Sequence, residues 1–442
     1  MKKFVIGILV ILFGGFLLTG VFFLNRPIVI ENISYGDLNA DLSKTLTIKL
    51  KNTDRFSSCS INGFDSIKPN NNKCTFDVKD GELKLIVKNF LTSKEKIIDV
   101  SINDISKLTL NTHDYYLAPD EAYNLRVNVD IVGTLNDYVL NWESDDPSIV
   151  DVIDGKITAK GLGTTKIRVS YKNGVKDETN VTVTDIIRKQ ELDDKKKTVT
   201  CHAYTEEEAE LLDKILDSRV QAEGEETRAA LISVIRFITL NFKYKVPYFF
   251  EHGRLNNTSG QRYVDGEGRY YHKGLYLSES KYNDLKKTHC KPQMWGCGLT
   301  NYDDLYGWTV GAKYPNGLDC SGFVSWAFLN SGKDVGDYGS GFNEQGFDLS
   351  DLGPHHNITY EYLNSDKYKV GDIIGWNGHI ALIAGKDDKF IYIAESLNKG
   401  LRINKKNYVD RNSNLYSENT YSYVATLDDF YSSDGVYSDY WE

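Results

Sequence analysis

What this 442-residue chain lacks narrows its role first. It has no excess of basic charge: 52 Lys and Arg stand against 62 Asp and Glu, a formal net charge of -10. A basic nucleic-acid-binding surface is excluded, and acidity spread along the chain serves solubility rather than recognition. It has one long apolar run and no second of comparable length, which excludes a multi-span transporter. It has no long repeats and no low-complexity tracts. Proline is scarce, with 8 residues, whereas tyrosine is abundant, with 29. Hydrophobic residues make up 41% and charged residues 26%, ordinary values for globular protein, and the length suggests about three domains.

The one apolar run is FVIGILVILFGGFLLTGVFFL, from Phe4 to Leu24. At 1.5 Å per residue it spans about 30 Å, the thickness of a hydrocarbon core. Lys2 and Lys3 precede it, a bias that puts the N-terminus in the cytoplasm and the rest of the chain outside. A cleaved signal peptide is the competing reading, but it is shorter and ends in a small-x-small site, which is missing here. The expectation is a single-pass membrane anchor over residues 1–27. Outside the cytoplasm disulfides are permitted.

Residues 28–105 alternate short apolar runs with turns (TLTIKL, CTFDV, ELKLIV, KIIDVSI), the period-two sign of an all-β module. Cys59 and Cys74 bracket its Gly/Asn/Pro-rich segment and form a candidate disulfide, with roughly 3 kcal/mol of stabilisation for a loop of that size. Residues 106–185 form a second β module, from LTL to TNVTVT. Trp142, Ser144-Asp145-Asp146-Pro147-Ser148, Ile149 to Val152, Gly155-Lys156-Ile157-Thr158-Ala159 and Gly161-Leu162-Gly163 resemble the bacterial immunoglobulin-like group 2 domain. That resemblance implies a small β-sandwich used in surface proteins as a spacer or adhesive unit. Trp142 reads as a core tryptophan. Residues 186–200 are charged, lack apolar periodicity and read as a linker.

Helices follow. Thr205 and Glu208 fit a capping box, and Leu211, Leu212, Ile215 and Leu216 recur at helical spacing. A second helix is expected from about Glu225, with Leu231, Val234, Ile235, Ile238 and Phe242 on one face and Pro247 as its stop. These helices and a loop-rich stretch make a 201–300 extension, ahead of a 301–442 domain. In GLDCSGFVSWAF, Phe323, Val324 and Ala327 follow Cys320 at helical spacing. Cys320 therefore sits in the first turn of a helix, with Asp319 or a neighbour as the cap. Free N–H groups and the helix dipole there favour thiolate and offer an oxyanion its donors. A thiol nucleophile needs a base. His379 stands after a Gly-containing turn at the head of the strand IALIA, and the next strand, Phe390 to Ala394, returns to deliver Glu395 beside it. A carboxylate there orients the imidazole, the third role in triad logic.

Asp319-Cys320-Ser321-Gly322-Phe323-Val324, Gly371-Asp372 and Gly378-His379-Ile380 resemble the NlpC family of cell-wall cysteine peptidases. Ala394-Glu395-Ser396 resembles the related CHAP family, whose third residue is usually an acid. The resemblance covers roughly residues 300 to 430 and implies an α+β papain-like domain with Cys320, His379 and Glu395 as its catalytic residues. It departs from the family at Trp308, where a tyrosine usually approaches the thiol, and at Tyr392, near the place of the family's usual third histidine. Trp308, Asp319, Ser321 and Tyr392 are candidates for substrate or oxyanion contacts. Cysteine parity leaves Cys320 free if Cys59 pairs with Cys74 and Cys290 with Cys297, with Cys201 the odd one. His202 and His289 beside cysteines fit no standard zinc spacing, so no metal is expected, and no cofactor. His355 and His356 read as loop residues. The whole implies a membrane-anchored extracytoplasmic enzyme on the cell-wall side, cutting peptidoglycan stem peptides. Its expected partners are peptidoglycan, the membrane and an envelope-complex protein. Amidase or acyl-transfer chemistry, or a non-catalytic adhesin or spacer, are the alternatives.

Overall fold

The computed structural model describes residues 26–39, 43–62, 64–79, 81–90, 92–100, 103–192, 197–198, 204–248, 273–275, 277, 290–291, 295–296, 298–301, 313–315, 317–335, 349, 352–417 and 420–436. The apolar run at 4–24 lies outside them, and among the described residues no helix is long and apolar enough to cross a membrane. Cys201, Cys297, Trp308 and the side chain of Cys290 also lie outside them. The chain divides into two compact units: Met1–Thr109 with Val127–Asn141 and Val169–Asp177, and Leu110–Arg126 with Trp142–Arg168 and Glu178–Glu442.

The first module has six strands: β1 (Val29–Leu38), β2 (Lys44–Lys51), β3 (Ser58–Ile61), β4 (Lys73–Val78), β5 (Gly81–Lys88) and β6 (Ser93–Val100). They form two antiparallel sheets, β1-β2-β4 and β3-β5-β6. Alternation decides which side chains face in: Leu46, Ile48 and Leu50 of β2 are buried while Lys49 and Lys51 are exposed. Cys59 of β3 and Cys74 of β4 form the expected disulfide and so join the two sheets.

The second module runs through β7 (Asp104–Leu110), β8 (Asp114–Leu117), β9 (Ala122–Asn124), β10 (Val127–Val132), β11 (Asn141–Ser144), β12 (Val150–Ile153), β13 (Lys156–Ala159), β14 (Gly163–Ser170) and β15 (Lys176–Val183). Strands β7 and β10 pair with each other, and the remaining seven form the sheets β11-β14-β15-β8 and β12-β13-β9. The chain up to residue 185 thus holds two modules of the immunoglobulin-like sandwich kind. Trp142 departs from its expected core position. It lies on the edge strand β11 and is half-buried, its ring against Gly155.

Helix α1 (Glu206–Glu223) starts at the expected capping box, with Glu208 N–H donating to Thr205 Oγ1 at 3.2 Å and Thr205 N–H to Glu208 Oε2 at 3.0 Å. Helix α2 (Arg228–Arg236) is capped by Thr227 and runs into a π-helical turn, Phe237–Asn241. It therefore ends before Pro247, earlier than its apolar spacing predicts. The carbonyls of that last turn have no helical donors left and take them from outside. Lys197 donates to Ile238 O and Thr239 O (3.3 and 2.7 Å), Arg188 Nε to Leu240 O (3.0 Å), and Arg188 N–H to Asn241 O (2.9 Å). Cations at a helix C-terminus are stabilising. Within the stretch 186–200 that the sequence reads as a linker, Arg188 and Lys197 are thus fastened to a helix end, and Ile187 is buried.

The strands β16 (Cys290–Lys291), β17 (Gly298–Asn301) and β18 (Lys313–Pro315) form a small sheet ahead of helix α3 (Cys320–Asn330). The main sheet is made of β19 (His355–Asn357), β20 (Ile373–Trp376), β21 (His379–Lys386), β22 (Phe390–Leu397), β23 (Gly400–Asn407) and β24 (Tyr423–Ala425), with a short helix, α4 (Tyr360–Leu363), between β19 and β20. It is antiparallel throughout, in the order β19-β24-β20-β21-β22-β23. His355 and His356 are thus strand residues, though exposed, rather than loop residues. β21 is buried on both faces, which is why IALIA reads as a continuous apolar run.

One apolar core runs from Ala118 and Ile187 through α1 and α2 into α3 and the main sheet. The described helices of the expected 201–300 extension thus share one core with the sheet of the expected 301–442 domain. Arg228, fully buried at the start of α2, pairs with Asp372 at 2.6 Å and reaches Asp434 at 3.1 Å. The backbone N–H groups of Arg228 and Ala229 donate to the carbonyls of Ser433 and Asp434. Asp372 thus fastens helix to sheet.

Candidate functional site

Cys320 is the first residue of α3. Asp319 caps the helix, accepting from the Gly322 N–H at 2.6 Å and from the Ser321 hydroxyl at 3.2 Å. Both Asp319 and Ser321 are buried, and they serve this cap. Phe323, Val324 and Ala327 face the core as their spacing predicts, but so does nearly every other side chain of α3, which is apolar all round. Cys320 carries a free thiol, 6% exposed.

The helix packs on β21 and β22. The backbone N–H groups of Ile380, the second residue of β21, and of Ser321 and Cys320 favour negative charge on the sulfur. The first residue of β21 is His379. Its Nε2 lies 3.1 Å from Glu395 Oε2, and both side chains are buried. A ring nitrogen facing a carboxylate carries the proton, which leaves Nδ1 as the basic nitrogen. The Trp376 ring lies 4.0 Å from that of His379, centroid to centroid, and fixes its plane.

Glu395 is held from four sides. It accepts from His379, from the Tyr421 hydroxyl at 2.6 Å, from Arg402 Nη2 and Nε at 2.7 and 2.9 Å, and from Asn404 Nδ2 at 3.2 Å. Burial pushes its carboxyl up, but the hydrogen bonds from His379, Tyr421 and Arg402, with the Arg402 charge, bring it down to about 2. It is ionised whatever the charge on His379. Strand β22 runs on through Leu397, so Glu395 stands within a strand rather than just past its end. Tyr392 points elsewhere: its hydroxyl donates to Asp387 at 2.7 Å, in the turn between β21 and β22. It takes no part behind the histidine.

The thiol departs from expectation. Burial first, and the Asp319 carboxylate second, push Cys320 up to about 12, against the N–H groups of Ile380, Ser321 and Cys320. Helix-end donors alone do not overcome desolvation and an adjacent negative charge. An isolated thiolate is thus disfavoured.

Sequence reasoning missed Tyr421, Arg402 and Asn404, which lie on later segments with no motif of their own. It also missed the approach of residues 246–247 to the turn before α3, where the Leu318 N–H donates to Pro247 O at 3.0 Å. Trp308, placed by the family pattern beside the thiol, lies outside the described residues.

No protein-family model matches the sequence, and no curated protein matches it. Among solved structures, the chain is similar to domains 4 and 5 of the S-layer protein SbsC, at 13% identity over 36% of this chain and 96% of that one, with a TM-score of 0.19. It is similar to a C-terminal 282-residue fragment of intimin in complex with the intimin-binding domain of the translocated intimin receptor, at 16% identity over 35% and 64%, with a TM-score of 0.26. It is also similar to invasin, a bacterial integrin-binding protein, at 14% identity over 66% and 56%, with a TM-score of 0.26. The chain therefore spans less than two thirds of the intimin and invasin structures. Likenesses of this size are of fold alone.

Proposed function

We propose that this chain is an extracytoplasmic cysteine hydrolase acting on peptide bonds of peptidoglycan stem peptides, tethered to the membrane by the apolar run at 4–24. The observation that carries the reading is the grouping of a free thiol at a helix start, a histidine at the head of the strand on which that helix packs, and a buried carboxylate on that histidine's Nε2. Three groups in the roles of nucleophile, base and orienter are what thiol acyl transfer needs. The motifs around Cys320 and His379 resemble the NlpC and CHAP families, which implies a papain-like domain and a wall substrate such as the γ-D-glutamyl to diamino-acid bond.

In this mechanism His379 Nδ1 takes the thiol proton as the sulfur attacks the scissile carbonyl. The carbonyl π pair moves onto oxygen, where the N–H of Cys320 is a donor. The imidazolium returns its proton to the leaving amine as the C–N bond breaks, leaving a thioester. A water, deprotonated by His379, then attacks the thioester carbonyl, and the thiol leaves with the proton. Glu395 stays ionised and stabilises the imidazolium. The chemistry calls for no cofactor. The β modules would hold the site away from the membrane.

A second reading, a non-catalytic adhesin or spacer, draws its support from the two β modules that fill residues 28–185. The matched structures include an S-layer protein by name, at a likeness too slight to carry the choice. Digestion of purified peptidoglycan with the full chain and with Cys320→Ala, followed by mass spectrometry, separates the readings. Fragments released by the wild type alone support hydrolysis and identify the bond, amidase or endopeptidase. Equal, empty profiles on several wall types favour the adhesin.

A further inference from the structure

The first module carries two exposed phenylalanines in contact. Phe56 and Phe90 are 52% and 63% exposed, and their rings lie 5.1 Å apart, centroid to centroid. Single exposed apolar side chains are ordinary on a protein surface, but an aromatic pair makes a patch. The pair is built rather than loose. Phe56 stands in the loop between β2 and β3, and Phe90 in the loop between β5 and β6. One carboxylate fastens both loops: Asp54 accepts from the Phe56 N–H at 2.8 Å and from the Phe90 N–H at 3.0 Å. The Arg55 guanidinium lies over the Phe56 ring, 4.6 Å from its centroid.

The same two loops hold the point at which the chain enters the module. Asn89 Nδ2 donates to Arg26 O at 3.0 Å, and Asn52 Nδ2 donates to Pro27 O at 2.8 Å. The Ile28 N–H donates to Thr92 Oγ1 at 3.1 Å, and the Ile28 side chain is buried. The Arg26 carbonyl is therefore fixed one residue from Phe90. The apolar run ends at Leu24, two residues before Arg26. At about 3.8 Å between consecutive Cα atoms, Leu24 and Arg26 stand no more than about 8 Å apart. The headgroup layer on one side of a bilayer is about 5–8 Å deep. A run that spans the hydrocarbon core thus leaves this end of the module no room to stand clear of the membrane surface.

We propose that this end of the first module rests on the bilayer, with Phe56 and Phe90 set among the lipids at the base of the headgroups and Arg26 and Arg55 against lipid phosphates. The inference rests on the reading of 4–24 as a membrane anchor. Arg26 and Arg55 are both exposed. Apolar side chains flanked by basic ones are the make-up of surfaces that lie in a membrane interface. The long arginine stem keeps its charge at headgroup level while the ring beneath it goes deeper.

The test uses the full chain in vesicles of phosphatidylcholine and phosphatidylglycerol. The photo-reactive analogue p-benzoylphenylalanine replaces Phe56, Phe90 or Phe64, one at a time. All three side chains are exposed, so the larger ring displaces no core packing, and Phe64, which follows the other end of β3, is the reference. After illumination, mass spectrometry of the labelled peptides should find lipid adducts at 56 and 90 and none at 64. Adducts at none of the three positions, in a chain that stays with the vesicles through an alkaline carbonate wash, would overturn the seating and leave the anchor reading standing. So would equal yields at all three, or cross-links from 56 and 90 to a second copy of the chain in place of lipid. A chain stripped from the vesicles by the wash would sink the anchor reading and this inference together.

Discussion

Glu395 concentrates more at one carboxylate than any other residue of the sheet: a histidine, a tyrosine, an arginine and an asparagine converge on two oxygens. Its folded value of about 2 lies below the ordinary 4.5, so it contributes stability above pH 4.5 that is lost as pH falls through about 2. The shift is worth about 3 kcal/mol. Urea unfolding between pH 2 and 6 should show that loss in the wild type and a flatter profile in Glu395→Gln, with the two stabilities converging at the acid end. A parallel pair of curves would mean that the carboxylate is not held as described. His379 and Glu395 were legible in the sequence because a strand-turn-strand pattern ties their positions together. Arg402 and Tyr421 were not, since β23 and the segment before β24 announce only alternation, and contacts across strands depend on register. The thiol was half legible. Helix-end position can be read from spacing, but burial on every side and the sign of a neighbouring capping charge cannot.

At the scale of elements, the N-terminal module shows what patterning can carry. The runs TLTIKL, CTFDV, ELKLIV and KIIDVSI each fall within a strand or at its edge, β2, β4, β5 and β6. The disulfide between β3 and β4 ties together two sheets that share no strand. Its removal by Cys59→Ala with Cys74→Ala should cost roughly 3 kcal/mol for a loop of this length, seen as a lower unfolding midpoint of that module. An unchanged midpoint would show that the sandwich core closes without it. Helix α2 was less legible. Its apolar residues keep helical spacing as far as Phe242, but the π-helical turn adds a residue to the last stretch, and no composition rule marks that insertion. Arg188 and Lys197 were hard to read for a related reason: they look like solvated charge until the carbonyls of that turn are there to receive them.

Across the whole molecule, the joint between the second β module and α1 lies inside one compact unit. Arg219 of α1 pairs with Glu121 at 2.9 Å and donates to Tyr116 O at 3.0 Å, while Asn241 donates to the other Glu121 oxygen at 2.8 Å. Arg126 and Tyr123 hold Glu223 at 2.8 Å each. The pair Arg219–Glu121 is buried, and removing one partner strands the other charge. Arg219→Ala should therefore lower the stability of this unit by about 3–5 kcal/mol, measured by denaturant unfolding. A loss under 1 kcal/mol would mean that the module hangs freely from the helices. The sequence reading saw a linker at 186–200 and no join here, because burial of charge is a property of the partner, not of the run.

The cap on α2 has a consequence for how the protein is made. Arg228 finds Asp372 and Asp434 only 144 and 206 residues later in the chain. A ribosome adding roughly 5–20 residues per second takes on the order of 10–40 s to cover the longer gap. Until those residues have been made, the helix start and its guanidinium wait without their counter-ions, so the join between helix and sheet closes late in folding.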